Sequence, residues 1–201
     1  MGVRKTRAAE TRAALKDAAR EQFAARGYLN TKITDITAAA GRATGSFYEH
    51  FESKEQLLDA LAADMHDAAH EAMATDEPHP PHDLTDRDQL HQHLALAWRL
   101  IRGNREVTAA LFEASVAGGN GDGQRWRRLA EDTRMLREHL EHSRETGRPL
   151  PGPPEVVAAV MGATLAMMGY ALPESGRAGY TDDEVLDTIV ALFAGGLGGS
   201  A

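Results

Sequence analysis

Residues 31–58 decide the fold of this chain, and they read Thr31-Lys-Ile-Thr-Asp-Ile-Thr-Ala-Ala-Ala-Gly41-Arg-Ala-Thr-Gly-Ser-Phe-Tyr-Glu-His-Phe-Glu-Ser-Lys-Glu-Gln-Leu-Leu58. Two short helical patterns meet at Gly41. The second begins with small polar residues and continues with aromatic residues and a histidine. This layout is typical of a helix-turn-helix, whose second helix enters the major groove of DNA. The stretch therefore predicts a transcription regulator, with the rest of the chain as sensor and dimer interface.

The bulk composition is that of an ordinary globular protein of 201 residues, with 42% apolar and 26% charged residues. The absence of cysteine excludes disulfides and thiolate–metal sites and is compatible with a reducing cytoplasm. The charged N-terminus lacks the apolar run of a secretory signal. The longest charge-free apolar run, residues 156–172, is shorter than the roughly 20 strongly apolar residues of a membrane span. We therefore expect a buried helix there, no membrane contact and a cytoplasmic protein.

The charge is distributed unevenly, although the whole chain carries a net −8. Residues 1–60 hold ten Lys/Arg and eight Asp/Glu, a net +2, and the remainder holds a net −10. Four basic residues cluster at the very start: Arg4, Lys5, Arg7 and Arg12. A locally basic N-terminal part on an acidic body fits a small module that contacts phosphates.

The periodicity of apolar residues predicts an all-α chain of about nine helices, without strand-like alternation. We expect an N-terminal three-helix domain over residues 1–53, with the helix-turn-helix at about 32–51, and a larger helical domain over residues 54–201. Asn30 and Thr31 can cap the second helix, and Ser53 caps the fourth in a capping-box spacing with Gln56. The predicted helices are 6–26, about 31–40, 43–50, 54–74, 87–102, 104–118, 123–146, 154–172 and 182–196. The predicted breaks between or after them are 76–86, 118–123, 147–154 and the Gly-rich end at 195–201.

Residues 11–61 resemble the DNA-binding domain of the TetR family of transcription regulators. The matching pieces, in order, are Ala18-Ala19-x-x-x-Phe23-x-x-x-Gly27-Tyr28, Thr31-x-Ile33-x-x-Ile36-x-x-x-Ala40-Gly41, and Gly45-Ser46-Phe47-Tyr48-x-His50-Phe51-x-Ser53-Lys54-Glu55-x-Leu57-Leu58. No single piece is decisive, but the ordered set is specific. An apolar set should form the small core that fixes the third helix: Phe23, Ile33, Ile36, Phe47, Phe51 and Leu57.

The resemblance implies which residues contact DNA. Tyr48, His50 and Lys54 match residues that bind phosphates in the family, and Thr31 matches the cap of the second helix, whose amides face the DNA backbone. Base reading should fall to the N-terminal end of the recognition helix. That end comprises Arg42, Ala43, Thr44, Gly45 and Ser46.

Two positions depart from the family pattern. Position 42 is often small or apolar in the family and is Arg here, whereas position 44 is often Lys or Arg and is Thr here. Because the positive charge lies at position 42 instead of position 44, the operator sequence cannot be inferred from those of relatives. Arg42 is as well suited to a phosphate or plain surface position as to a guanine contact. Glu49 would be repelled by phosphate if it faced the DNA.

The larger domain should provide dimerisation and ligand binding. The helices within about 154–196 are the predicted homodimer interface, joined as a four-helix bundle, and a two-fold dimer matches a palindromic operator on double-stranded DNA. A pocket for an unknown, neutral and moderately apolar small molecule should lie among residues 87–172. The candidate lining residues, each of which is also compatible with plain core packing, are Trp98, Phe112, Trp126, Met135, Leu136, Met161 and Met168.

Metal, cofactor and catalytic signals are weak. The pairs His66/His70 and His139/His142 have helical spacing but no tight third ligand, so we expect surface histidines, no metal site and no cofactor. Nucleophile-elbow, phosphate-loop, zinc-protease and dinucleotide-binding patterns are missing. We therefore expect no enzyme.

The leading hypothesis is a dimeric repressor that a small molecule releases from a palindromic operator by shifting the population of its forms. The fourth helix would be the lever, because it joins the reading head to the rest of the chain. One alternative is a helical small-molecule carrier with a weak or vestigial DNA-binding head. A third hypothesis is a helical enzyme with His139 or His142 as the base.

Overall fold

The structure is a computed structural model that describes residues 3–73, 83–118, 123–172 and 179–197. Within those ranges it contains ten α-helices and no β-strand, which confirms the all-α prediction. The helices are α1 Val3–Arg26, α2 Ile33–Ala39, α3 Thr44–Tyr48, α4 Lys54–Met73, α5 Arg87–Gly103, α6 Arg105–Ala117, α7 Gln124–Asp132, α8 Arg134–Glu145, α9 Pro154–Ala171 and α10 Asp182–Leu197.

The chain divides into two compact units. The head unit comprises Met1–Ala68 and Asn104–Gly119, and the body unit comprises Ala69–Gly103 and Asn120–Ala201. The head is therefore discontinuous in sequence, because α6 packs with the N-terminal helices. The functional division at residues 53 and 54 stays a prediction, but packing alone adds most of α4 and all of α6 to the three helices that the sequence pattern assigns to the head.

The head is built around one apolar cluster. Phe23, Ile36, Phe47, Phe51 and Leu57 are buried in it, and Ile33 packs against it. The predicted core is thus confirmed. The rings of Phe47 and Phe51 lie 5.7 Å apart between centroids and tie the end of α3 to this core. Burial of two aromatic side chains supplies more stabilisation than five helical residues could provide by themselves.

Helix α6 joins the head through apolar and polar contacts. Val107 and Ala110 are buried in the same cluster as the N-terminal core. Arg20 of α1 donates from Nη1 to Asn104 Oδ1 and Glu106 Oε1, at 2.8 Å each. At the other end of α6, Glu113 Oε2 accepts the amide of Leu29 at 3.2 Å. Helix α6 is therefore an integral part of the head.

The body has its own core, formed where α5, α8, α9 and α10 pack together. Its buried side chains include Leu90, Leu94, Leu140, Met161 and Val190. Arg102 of α5 reaches Asp182 at 3.1 Å and donates to the carbonyl oxygens of Leu172 and Gly169, at 3.0 and 3.4 Å. This arginine thus links α5 to the end of α9 and the start of α10.

The predicted single helix over residues 123–146 is wrong. It is two helices, α7 and α8, which meet at Thr133, a residue with non-helical φ −102° and ψ 12°. The Thr133 hydroxyl donates to the carbonyl of Leu129 at 2.8 Å, and such back-bonding competes with the regular helical ladder. A Cβ added at Gly162 of α9 would overlap the Thr133 methyl group. The break therefore lies where α9 approaches most closely.

Helix α9 alone, among the described helices, is long and apolar enough to cross a membrane by length and composition. One third of its apolar window is buried inside the chain. The expectation of a buried helix therefore holds for one face, whereas the opposite face is exposed.

Parts of three predicted breaks lie outside the described residues. They are residues 74–82 of the proline-rich loop, which include His79 and His82, residues 119–122 of the Gly-rich linker, and residues 198–201 of the C-terminal end. The break at 147–154 is present: α8 ends at Glu145 and α9 begins at Pro154.

Candidate nucleic-acid interface

The turn between α2 and α3 has the hydrogen bonds of a Schellman motif. Gly41 adopts φ +62°, which favours glycine, and its amide donates to the carbonyl of Ala38 at 3.1 Å. The amide of Arg42 donates to the carbonyl of Thr37 at 2.9 Å. This closure ends α2 after Ala39 and starts α3 at Thr44, within one residue of the predicted boundaries.

The N-terminal end of α3 is exposed while its middle is anchored. Phe47 is completely buried, so the residues before it are directed outward. Four predicted base-reading residues are exposed and Ser46 is half-buried; the exposed ones are Arg42, Ala43, Thr44 and Gly45. The Thr44 hydroxyl lies 3.5 Å from that of Thr37 in α2. The structure thus brings these five residues together at one end of a rigidly seated helix.

Tyr48 and His50 follow on the same short segment. The Tyr48 side chain is 58% exposed, and its ring meets the Phe47 ring edge-on at 5.5 Å between centroids. His50 is half-buried and its amide donates to the carbonyl of Phe47 at 2.9 Å. Glu49 is exposed between them. The arrangement leaves a phenol hydroxyl and an imidazole edge able to donate to phosphate oxygens.

Thr31 differs from its predicted role as a helix cap. The N-cap of α2 is Lys32, whose amide donates to Asp35 Oδ2 at 2.9 Å. Thr31 is only 2% exposed, and its hydroxyl is bonded to the carbonyl oxygens of Gly27 and Gln22, at 2.7 and 3.3 Å. The Asn30 side chain also turns back, to the carbonyl of Arg26. Both residues close the end of α1 because its last carbonyls need donors, so the cap prediction is wrong.

Lys54 has partners that the sequence pattern did not reveal. Its Nζ donates to the carbonyl oxygens of Tyr28 and Thr31, at 2.6 and 2.8 Å, and lies 4.1 Å from the centroid of the Tyr28 ring. Burial lowers the Lys54 pKa, while the charges of Glu55 and Glu113 oppose that shift. Two of its three ammonium donors are occupied inside the head. A phosphate contact by Lys54 stays a prediction, restricted to the remaining donor.

Helix α4 begins with the predicted cap. The Ser53 hydroxyl accepts the Gln56 amide at 3.2 Å. The return bond of the capping box runs from the Glu52 amide to Gln56 Oε1 at 2.6 Å, one residue earlier than the standard pattern. The Tyr28 hydroxyl donates to Glu55 Oε1 at 3.0 Å. The first turn of α4 is thus fastened to the loop that precedes α2.

Sequence reasoning placed Arg12 only within a basic cluster. In the structure Arg12 Nη1 donates to the His50 carbonyl at 3.0 Å, and the guanidinium carbon lies 4.3 Å from the centroid of the Phe51 ring. The helical spacing of the sequence indicates this inward position. Arg12 precedes the buried Leu15 and Ala19 by three and seven residues and so shares their face of α1.

The candidate ligand residues of the larger domain do not form one group. Phe112 belongs to the head unit, whereas the others belong to the body unit. Trp98 and Met161 are buried in the body core, and Trp126 is 44% exposed. Met135, Leu136 and Met168 complete the set, with Leu136 buried and both methionines half-buried. The buried Trp98 Nε1 has no acceptor among the described residues, so it is one polar group of this core with which a ligand could form a hydrogen bond.

The predicted dimer helices expose an apolar stripe. Val156, Val160, Ala163 and Met167 of α9 are exposed, and so is Leu192 of α10. The other apolar positions of α10 face the body core instead; they are Val185, Leu186, Ile189 and Val190. Gly162 and Gly169 of α9 face Thr133 and Ile101 within the chain, so their close approach is intramolecular.

Some of the described histidines form pairwise contacts. Within the described residues, no three His, Asp or Glu side chains are grouped to hold a metal ion. His91 lies 3.2 Å from Asp187, and the rings of His93 and His139 meet edge-on at 5.0 Å between centroids.

A helical head that presents a short exposed helix from an apolar core defines a helix-turn-helix DNA-binding protein. Residues 15–61 match the sequence model of bacterial regulatory proteins of the tetR family. The N-terminal part of the chain is therefore similar to the DNA-binding region of TetR-family transcription regulators. The HTH-type transcriptional regulator TtgR of Pseudomonas putida is 40% identical over 67 residues, which are 32% of each protein. The match thus spans about a third of the length of that relative.

Solved structures share the fold over nearly the whole chain. AibR in complex with isovaleryl coenzyme A and operator DNA is similar with a TM-score of 0.65 and 24% identity, covering 92% of this chain and 98% of AibR. FadR of Bacillus subtilis in complex with stearoyl-CoA is similar with a TM-score of 0.68 and 17% identity, again covering 92% and 98%. At these identities the likeness concerns the fold alone.

Proposed function

We propose that the chain is a dimeric, sequence-specific DNA-binding repressor that a small molecule releases from a palindromic operator. The observation that carries this proposal is the exposed segment from Arg42 to Gly45, held outward by the buried Phe47. Short polar side chains and one guanidinium at the N-terminal end of a recognition helix can reach base edges in the major groove. Tyr48 and His50 would set the register through phosphates.

Dimerisation would use the exposed stripe of α9 together with α10. Val160 is 53% exposed, with Val156 four residues before it and Met167 seven after, so the three lie on one helical face. A contiguous apolar stripe on a water-exposed helix indicates a partner surface. Pairing of α9 and α10 with their copies would give a four-helix bundle. Two recognition helices could then meet successive major grooves, about 34–36 Å apart.

The ligand would bind in the body. The core around Trp98 favours one chemical class of ligand. An indole N–H buried without an acceptor costs free energy, which a ligand carbonyl would recover. Apolar neighbours such as Leu94 and Met161 suit an apolar chain. Coenzyme A thioesters combine such a carbonyl with an acyl chain and are bound by two proteins of the same fold. Coenzyme A thioesters are therefore the first ligands to test. We also expect the protein to act in the cytoplasm and not as an enzyme.

The test of DNA recognition is selection from a randomised duplex pool with purified protein. We expect enrichment of a palindrome, loss of binding in Tyr48→Ala, and a steep fall of affinity between 50 and 200 mM salt, as phosphate contacts require. A well-folded protein that enriches no sequence would contradict the proposal and favour the carrier hypothesis.

The test of induction uses the two tryptophans of the chain. In Trp126→Phe, the emission comes from Trp98 alone. We expect isovaleryl-CoA or stearoyl-CoA to change that emission and to release the selected duplex over the same concentration range. Binding of a thioester without release of DNA would contradict the induction mechanism, and turnover of the thioester would favour the enzyme hypothesis.

A further inference from the structure

Arg12 connects the first helix to the end of the recognition helix. Its guanidinium donates to the backbone carbonyl of His50 and covers the face of Phe51. Both partners belong to the segment that leaves α3, immediately after Tyr48. One side chain from α1 thus holds His50 and Phe51, which lie two and three positions after the predicted phosphate-contacting tyrosine.

This contact matters because α3 is only five residues long. A helix of that length is not stable alone, and its direction depends on what holds its ends. Phe47 holds the inner face by burial, and the amides of His50 and Phe51 both return to the Phe47 carbonyl at 2.9 Å. The carbonyl of His50 points out of this closed turn, and Arg12 supplies its donor. A cation beside helical C-terminal carbonyls is also favoured by the helix dipole.

The planar guanidinium suits both contacts at once. It can stack on an aromatic ring while an N–H bonds in its plane, which a lysine ammonium cannot reproduce. Neither partner is a carboxylate, so these contacts leave the positive charge of Arg12 unneutralised. That charge is fixed at the backbone carbonyl of His50.

We propose that Arg12 is a positioning residue for DNA recognition: it fixes the turn that carries Tyr48 and His50 without binding a phosphate itself. The inference rests on the proposed DNA-binding function. It adds to the interface a residue outside the helix-turn-helix, in the first helix of the head.

The test compares Arg12→Met, Arg12→Lys and the control Lys16→Met on the selected duplex at several salt concentrations. Lys16 lies one turn further along α1 and pairs with Asp64 of α4 at 2.6 Å, so its loss removes the same charge without touching α3. We expect Arg12→Met to lose about tenfold in affinity, with a slope of log affinity against log salt equal to that of Lys16→Met. We expect Arg12→Lys to recover little of the loss.

Two outcomes would overturn the proposal. If the slope of log affinity against log salt for Arg12→Met were shallower than that for Lys16→Met by about 0.9, the value for one phosphate, Arg12 would be shown to bind a phosphate directly. Full recovery in Arg12→Lys would reduce its role to charge. Wild-type protein that selects no duplex would instead refute the proposed function itself.

A double-variant cycle keeps the test valid if Arg12→Met is less stable. Arg12→Lys is combined with Tyr48→Phe, and duplex affinity is measured for both single variants and the double variant. If Arg12 acts through the turn, the two losses are less than additive. Full additivity would show that the two residues act independently and would contradict the positioning role.

Discussion

The Tyr48 hydroxyl is the best single atom with which to test the predicted phosphate contacts of the head. Its ring already packs edge-on against Phe47, so Tyr48→Phe removes only the exposed hydroxyl. We expect at least a tenfold loss of affinity, since a hydrogen bond to a charged acceptor contributes roughly 1.5–3 kcal/mol. The loss should be similar for the selected duplex and for unrelated duplexes, as expected of a phosphate contact. Equilibrium titration of both duplexes measures it, and a loss confined to the selected duplex would make Tyr48 a base reader.

Lys54 has a structural role, which its bonds to two backbone carbonyls define, in addition to its predicted phosphate contact. Lys54→Met removes two donors to backbone carbonyls and should lower the free energy of unfolding by about 1–3 kcal/mol, because Tyr28 and Thr31 lose their partner. Urea unfolding measures this change. The matched control is Lys32→Met, at an exposed lysine beside the start of α2, which we expect to change stability by less than about 0.5 kcal/mol. Equal stability of the two variants would contradict the structural role of Lys54.

Asp83 gives the body a stability that depends on pH. Burial disfavours its ionised form, but hydrogen bonds from Thr85 and Ser143 and the charge of Arg148 outweigh it, and the Asp83 pKa is lowered below 3.8. A lowered carboxyl pKa stabilises the folded state above the unfolded value of about 3.8, and this stabilisation is lost as the pH falls through the folded value. Asp83→Asn should therefore cost on the order of 1 kcal/mol at pH 6, and this cost should shrink as the pH falls below 3.8.

The measurement is urea unfolding of the wild type and the variant across that pH range. Arg148→Met removes the partner that lies 3.1 Å from Asp83 Oδ2. In this background, the stability difference that Asp83→Asn causes should be smaller over the same pH range. A difference between wild type and Asp83→Asn that does not change with pH would exclude this linkage.

At the scale of whole helices, the contact between α9 and the break at Thr133 controls the packing of the body. Gly162→Ala should destabilise the chain by about 1–3 kcal/mol, because its Cβ would overlap the Thr133 methyl group. Thermal or urea unfolding reports the cost. Adding Thr133→Ser removes that methyl group, keeps the hydroxyl bonded to Leu129 and should restore most of the loss.

The matched control is Gly195→Ala in α10, where an added Cβ meets nothing within 4 Å. There alanine should be neutral or stabilising by up to about 1 kcal/mol, because it restricts the unfolded chain and favours the helix. If Gly162→Ala behaved like this control, the close approach of α9 would not be a determinant of stability.

Some features of the helices and turns can be predicted from neighbouring residues in the sequence, whereas others depend on long-range contacts. The turn at Gly41 and the outward direction of Thr44 follow from short-range patterns, since a glycine with positive φ and a buried Phe47 fix them. The end of α7 does not follow, because Thr133 breaks the helix at a long-range contact with Gly162. The cap prediction for Thr31 is wrong because a hydroxyl before a helix can also donate to carbonyls that precede it. The Thr31 hydroxyl donates to the carbonyl oxygens of Gln22 and Gly27, at the end of α1.

At the scale of the molecule, the predicted dimer can be tested through the exposed stripe of α9. Val160→Glu places a charge in the centre of that stripe and should convert dimers to monomers, because burying an unpaired carboxylate is costly. A palindromic operator then loses the second half-site contact, and we expect affinity to fall at least a hundredfold. Sedimentation and duplex titration measure the two effects.

The control for this experiment is Val116→Glu on α6, also an exposed valine but outside the α9 stripe. It should leave both oligomeric state and DNA affinity unchanged. If Val160→Glu remained dimeric, the interface would have to lie elsewhere, and the bundle of α9 and α10 would be refuted.

The discontinuity of the head sets the order in which a newly made chain can become active. Val107 and Ala110 complete the apolar cluster of helices that were synthesised much earlier. At about 5–20 residues per second, the ribosome needs roughly 3 to 10 seconds to progress from residue 68 to residue 119. During that interval the nascent head has an uncovered apolar surface that chaperones can bind. A message truncated before α6 would therefore yield a helix-turn-helix sequence without a finished reading head, so partial products should not compete for the operator.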